Sequence, residues 1–138
     1  MIASAERYPY VEMNPAAGAA SRLPYLPVTL ALHQESIFVS GLLDSGAAIN
    51  VLPYSVGQQL GAVWEQQTTS VQLTGNLAAA EARVLVVSAS VGKFVPVRLA
   101  FASTREDTVP VILGQVNFFL EFDVCFFRSR SVFEVKPK

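Results

Sequence analysis

From Leu23 onward, short β-type runs alternate with Gly, Pro, Asn and polar turn signals, and no segment leaves room for a long helix. Residues 26–32 (LPVTLAL) and 36–43 (SIFVSGLL) flank a polar HQE and predict a hairpin. Pro24 and Pro27 put the start of its first strand at a sheet edge. TTSVQLT and AAAEARVLVVSA, separated by Gly75 and Asn76, predict a second hairpin. Residues 94–101 (FVPVRLAF) read as a strand, 102–108 (ASTREDT) as a polar loop and 109–113 as a short apolar strand. Residues 122–127 and 131–135 read as a last strand pair.

Two short helices fit between these runs. Pro53 stands near the start of the first and Gly61 just past its end, the asymmetry that helices favour. Residues 114–121 can form the second, with Val116, Phe119 and Leu120 on one face at spacings of three and four. A mainly β domain of about eight or nine short strands, closed or sandwich-like, is expected. Residues 1–22, rich in small residues and without a period, read as a loose N-terminal arm or as an element that orders only against a partner. Residues 23–138 then form a single domain.

The composition narrows the function. With 51% hydrophobic and 15% charged residues among 138, the chain has enough apolar material for a real core. A surface this short of charge fits a symmetric partner. A net charge of −1, with only a modest basic group at Arg128, Arg130, Lys136 and Lys138, argues against nucleic acid as a partner. Cys125 is the only cysteine and His33 the only histidine, so Cys-rich zinc sites and histidine-rich metal sites are excluded. Cys125, inside DVCFF, reads as a buried small hydrophobe, and His33 as a solvated turn residue. No metal and no cofactor are expected. The N-terminus lacks a basic segment followed by an apolar run, and no apolar stretch approaches the roughly 20 residues of a membrane span. A cytoplasmic protein without a membrane partner is the expectation.

One carboxylate stands out. In GLLDSGAAINVLP, Asp44 is the only charge in an otherwise uncharged stretch, followed by Ser45 and Gly46. Such a charge is costly unless something compensates it. The simplest compensation is a local turn in which Asp44 accepts from the amide two residues on. No G-x-S-x-G elbow or phosphate-cradling glycine loop competes for attention.

An apolar strand, Asp44-Ser45-Gly46-Ala47 and a second apolar run resemble the active-site segment of aspartic proteases. Late in the chain stand Ile112, Leu113 and Gly114, similar to that group's second signature of two apolar residues and a glycine. Between them, Gly75 and Asn76 stand where the group places its flap, although LTGNLAAAEA lacks a second flap glycine. Order and spacing resemble the retropepsin-like family, the single-lobe relatives of pepsin, over about residues 23–135.

The resemblance implies a small closed β-barrel of the acid-protease type with one or two short helices. It implies Asp44 as the catalytic group, Ser45 and Gly46 as supports of the active-site loop, and a cleft lined by Gly46, Ala47 and Ala48. Gly75, Asn76 and Leu77 would close over an extended polypeptide substrate. The family's mechanism needs two carboxylates, and this chain has one D-[ST]-G, since Asp107-Thr108 is followed by Val109. A homodimer supplying Asp44 twice is therefore implied, stitched by one of the termini, with hydrolysis of peptide bonds in mainly hydrophobic segments. Two alternatives stay open. One is a catalytically inactive retropepsin-like module for dimerisation or peptide binding. The other is an unrelated small barrel with a structural Asp turn.

Overall fold

A computed structural model describes residues 4–12 and 15–138. Strand β1 (Glu6–Pro9) comes first, then β2 (Val11–Glu12), which pairs with β3 (Arg22–Leu23). The body holds β4 (Tyr25–Leu32), β5 (Glu35–Leu43), β6 (Asn50–Leu52), helix α1 (Tyr54–Gln59), β7 (Ser70–Val71), β8 (Ala82–Ser90), β9 (Val97–Thr104) and β10 (Val111–Leu113). Helix α2 (Phe118–Glu121) leads into the hairpin of β11 (Phe122–Phe127) and β12 (Val132–Pro137).

Strands β4, β5, β10, β6, β9 and β8 are neighbours in that order, and β8 returns to β4 through pairs such as Leu30↔Ala89. The sheet thus closes into the barrel expected of this mainly β chain, and no edge is left between its first and last strands. Period-2 alternation supplies the core. Leu26, Val28 and Leu30 of β4, Val87 and Ala89 of β8, and Leu99 and Phe101 of β9 are all buried. Burying each larger side chain contributes roughly 1.5–3 kcal/mol. Pro27 is tolerated because β8 meets β4 only from Thr29 to Ala31, which leaves the start of β4 with β5 alone beside it.

A second, three-stranded sheet runs β1-β12-β11. Tyr8 stacks on Phe133 within this sheet with centroids 5.6 Å apart, Phe118 of α2 stacks on Phe122 at 4.9 Å, and Phe94, between β8 and β9, meets Phe122 at 6.3 Å and links the sheet to the barrel. The Glu6 carboxylate accepts the Tyr8 hydroxyl at 2.5 Å and the Lys93 amide at 3.1 Å. Burial first, and the neighbouring Glu6 carboxylate second, push the Tyr8 phenol above its ordinary range. The Glu6 carboxylate lies against Gly92, whose φ of 50° and missing Cβ leave room for it.

The structure departs from sequence expectation in five places. Residues 6–9 of the expected loose arm are a strand within the chain's own terminal sheet, registered from Glu6↔Val135 to Pro9↔Val132. Residues 1–3 and 13–14 of that arm lie outside the described residues. The strand expected over 94–101 runs instead over Val97–Thr104, because Ala102 to Thr104 pair with both β6 and β8 and are buried. The second helix covers only Phe118–Glu121, and its buried residue is Phe118, whereas Val116 and Leu120 are exposed. The second hairpin pairs only at its base, Ser70↔Arg83 and Val71↔Ala82. Cys125 is exposed on β11 rather than buried, since that strand borders no further strand among the described residues. Among the described residues no helix is long and apolar enough to cross a membrane.

Candidate active site

Strands β5 and β6 are consecutive along the chain but do not lie side by side. Strand β10 separates them, parallel to β5 (Leu113↔Leu43) and antiparallel to β6 (Ile112↔Val51). A chain leaving β5 must therefore arch over the end of β10 before it enters β6, and residues 44–49 form that arch. Asp44 stands at its first position.

Main-chain bonds brace the arch on both sides. The Asp44 amide donates to the Leu113 carbonyl at 3.0 Å. The Gln115 and Val116 amides donate to the Ala47 and Ala48 carbonyls at 2.9 and 2.8 Å. Gly114 makes this approach possible. A Cβ there would meet the carbonyl oxygens of Ile49 at 2.5 Å and Ala47 at 2.8 Å. Within the arch, the Gly46 amide donates to Asp44 Oδ1 at 3.0 Å, the local turn bond that the sequence suggests. That bond engages one carboxylate oxygen and does not close the site, because Asp44 also lines a cavity.

Side chains that sequence reading passed over complete the bracing. Asn50 is fully buried. Its Oδ1 accepts the Gly114 amide at 2.8 Å, and its Nδ2 donates to the Ala100 carbonyl and to Asn117 Oδ1, each at 3.1 Å. Asn117 continues the network, accepting the Ala100 amide and donating to the Arg98 carbonyl. Gln115 Nε2 donates to the Ser45 carbonyl at 2.8 Å. The one legible hint was an amide side chain inside the apolar run INVLP, which must find partners if buried.

The cavity beside Asp44 has a volume of about 500 Å³ and lies between the arch and residues 71–77. Asp44, Gly46, Ala47, Ala48, Gly75, Asn76, Leu77 and Ile112 all line it, so most of the expected site residues come together. Ser45 is exposed on the arch but is not among the lining residues, and Leu113 and Gly114 are buried behind it. Apolar side chains of Val51, Val71, Leu73 and Val109 complete the wall, and among the described residues Asp44 is the only charged one in it. Volume and lining suit an apolar ligand with one charge-assisted contact.

The opposite wall is built differently. Between β7 and β8 the chain forms a loop containing a 3-10 turn over Gly75–Leu77, held by Gln72 Nε2, which donates to the Leu73 and Ala78 carbonyls at 3.0 Å each. Leu73 is buried in a small cluster with Val51, Ala82 and Ala102, which pins the start of the loop. Asp107, in the loop before β10, accepts the Ser55 amide at 3.0 Å and so caps α1. Hydrogen bonds from Ser55, the amide first, hold its carboxyl below the usual carboxylate range. Among the described residues no group of His, Cys, Asp and Glu is arranged to hold a metal.

Comparison with known proteins agrees with this geometry. The family described as aspartyl protease matches residues 28–116, a span that holds the arch, the loop before β8 and β10. Among solved structures, the chain is similar to a retropepsin-like aspartic protease from Rickettsia conorii. The TM-score is 0.64 and the identity 14%, over 97% of this chain and 92% of that one. It also resembles the EIAV protease complexed with the inhibitor HBY-793, with a TM-score of 0.49 and 21% identity over 68% of this chain and 83% of that one. No curated protein matches the sequence. Asp44 on its braced arch, the closed barrel and the matched span carry one conclusion: the chain belongs to the aspartyl protease family and has a retropepsin-like fold.

Proposed function

We propose that this protein is an aspartic endopeptidase active as a homodimer, in which two copies of Asp44 share one catalytic water. The observation that carries this reading is the lone carboxylate on a braced arch beside an otherwise uncharged cavity. Two carboxylates in contact do not both ionise cheaply, so the pair shares one proton. The ionised member takes a proton from water, and the resulting hydroxide adds to the scissile carbonyl carbon. The protonated member gives its proton to the carbonyl oxygen. Collapse of the tetrahedral intermediate breaks the C–N bond, and the amine leaves with a proton from the pair. Ser45 and Gly46 support the arch, while Gly46, Ala47, Ala48, Gly75, Asn76 and Leu77 bind the extended substrate. The apolar lining favours hydrophobic residues around the scissile bond.

The terminal sheet supports the dimer. Strand β1 has β12 on one side, and the Glu6 contacts with the Lys93 turn lie beside it. Strand β11 has β12 on one side and no strand on the other among the described residues, and its FDVCFF sequence carries no Lys or Pro to protect the edge. Phe126 stands exposed there. A second copy pairing along β11 would satisfy that edge.

Cleavage of a peptide library by the wild type and by Asp44→Asn across acidic to neutral pH tests the chemistry. The expected result is cleavage by the wild type with a loss of at least about a thousandfold in the variant, since the reacting water loses its base. Equal cleavage by both would overturn the assignment. Sedimentation should show a dimer, and a monomer at high concentration would overturn the shared site.

A further inference from the structure

The cleft continues past Asp44. A second cavity of about 410 Å³ adjoins the first and shares Asn76, Leu77, Thr108 and Val109 with it. It lies between residues 76–80 and the loop before β10, and its remaining walls are Ala79, Ala80 and Glu106. Among the described residues Glu106 is the only charged one lining it.

The surroundings leave that carboxylate without a cation. Arg105, its neighbour in sequence, lies over the rings of Trp64 and Tyr54, 5.8 and 6.0 Å from their centroids. Arg83 stacks on Trp64 at 4.4 Å and meets Glu81 at 3.1 Å. Among the described residues Glu106 makes no ion pair. Its backbone is fixed, however. The amide donates to Thr104 Oγ1 at 3.1 Å, and the carbonyl accepts the Tyr54 amide at 3.2 Å. A firmly held main chain therefore presents an uncompensated negative charge to a cavity next to the Asp44 site.

We propose that this second cavity is a distal substrate subsite that takes a lysine or arginine side chain, with Glu106 as its counter-charge. The inference rests on the peptidase reading above. In an extended peptide, side chains on one face repeat every second residue, about 7 Å apart. A residue two or more positions from the one filling the Asp44 cavity therefore reaches the adjoining space. Its aliphatic stem lies along Leu77, Val109 and Ala80 while its charged head meets Glu106, the division of labour natural to long basic side chains. In a homodimer the subsite occurs once per protomer, which favours a basic residue on each side of the apolar centre.

Two readouts test this, one without turnover. In library cleavage, the wild type should enrich Lys and Arg about two- to fivefold over Ala at positions two to four residues from the scissile bond, the range expected for a partly solvated ion pair. Glu106→Gln should abolish that enrichment, and Glu106→Lys should turn it toward Asp and Glu. In binding, fluorescence anisotropy should find an apolar peptide carrying Lys at that position held more tightly than its norleucine analogue by Asp44→Asn. The difference should vanish in Asp44→Asn/Glu106→Gln. A cleavage profile without basic enrichment, enrichment that survives Glu106→Gln, or equal binding of the two peptides would overturn the subsite. Binding that keeps the lysine preference while no Asp44-dependent cleavage occurs would overturn the peptidase reading and leave the subsite standing.

Discussion

The two walls of the Asp44 cavity are built on opposite principles. The arch wall is tied by amides to β10 and its following turn, and behind it the buried Asn50 satisfies the Gly114 amide. The wall formed by residues 72–81 has strand pairing only at its base, and most of its side chains are exposed. One wall cannot shift without leaving buried polar groups unpaired. The other is held by Gln72 and by the anchoring of Leu73. The peptidase proposed above would need this division: one face preorganised, the other able to move.

That contrast can be broken most severely at the arch. Gly114→Ala places a methyl within 2.5 Å of the Ile49 carbonyl oxygen, a backbone atom that cannot swing away. Asn50→Ala strands the Gly114 amide. Each should cost about 1–3 kcal/mol or more and lower Tm by several degrees in thermal unfolding. Both should unfold the protein before they alter any affinity. A Tm unchanged in both would show the arch to be less braced than its hydrogen bonds indicate.

The opposite wall should answer in another observable. Gln72→Ala removes the two bonds to Leu73 and Ala78 that hold the turn. Global stability should fall by about 1 kcal/mol at most, while amide exchange at Leu77, Ala78 and Ala80 should rise about fivefold. Exchange rising equally at Gln115 and Val116 would erase the distinction between the walls.

The smallest effect concerns the cap on α1. The Asp107 carboxyl is held below its ordinary value of 3.8, so its ionised form stabilises the fold above that pH. The contribution disappears as pH falls through the lowered value. Asp107→Asn should therefore flatten a portion of the acid limb of a Tm-against-pH profile and leave neutral pH nearly unaffected beyond the weakened cap. An acid limb identical in the two proteins would remove Asp107 from the account.

Much of the barrel was legible because its signals are local. The hairpin around His33, the helix after Pro53 and the alternation of β4 each follow from neighbours a few residues apart. What escaped is nonlocal. Nothing near Val111 announces that β10 will come between a pair of strands that are consecutive in the chain. Residues 102–104, small and polar, look like a loop until β6 and β8 flank them. The candidate site was legible as a set of motifs, and Asp44, Gly75–Leu77 and Ile112 do converge on one cavity. Its bracing by Asn50, Gln115 and Asn117 was not, because amide side chains carry no pattern until their partners are known.

The pairing of β1 with β12 also orders events in time. Glu6 lies opposite Val135, so the first described strand waits for a partner translated long after it. Until then the N-terminal strand leaves the ribosome with nothing to join, and the closed barrel must form without it. Such a distant contact is slow to find by loop closure. The terminal sheet, and with it the apolar edge of β11, is therefore completed only after the strands of the barrel have been made. Any self-association along that edge becomes available only once β12 has been made to back it.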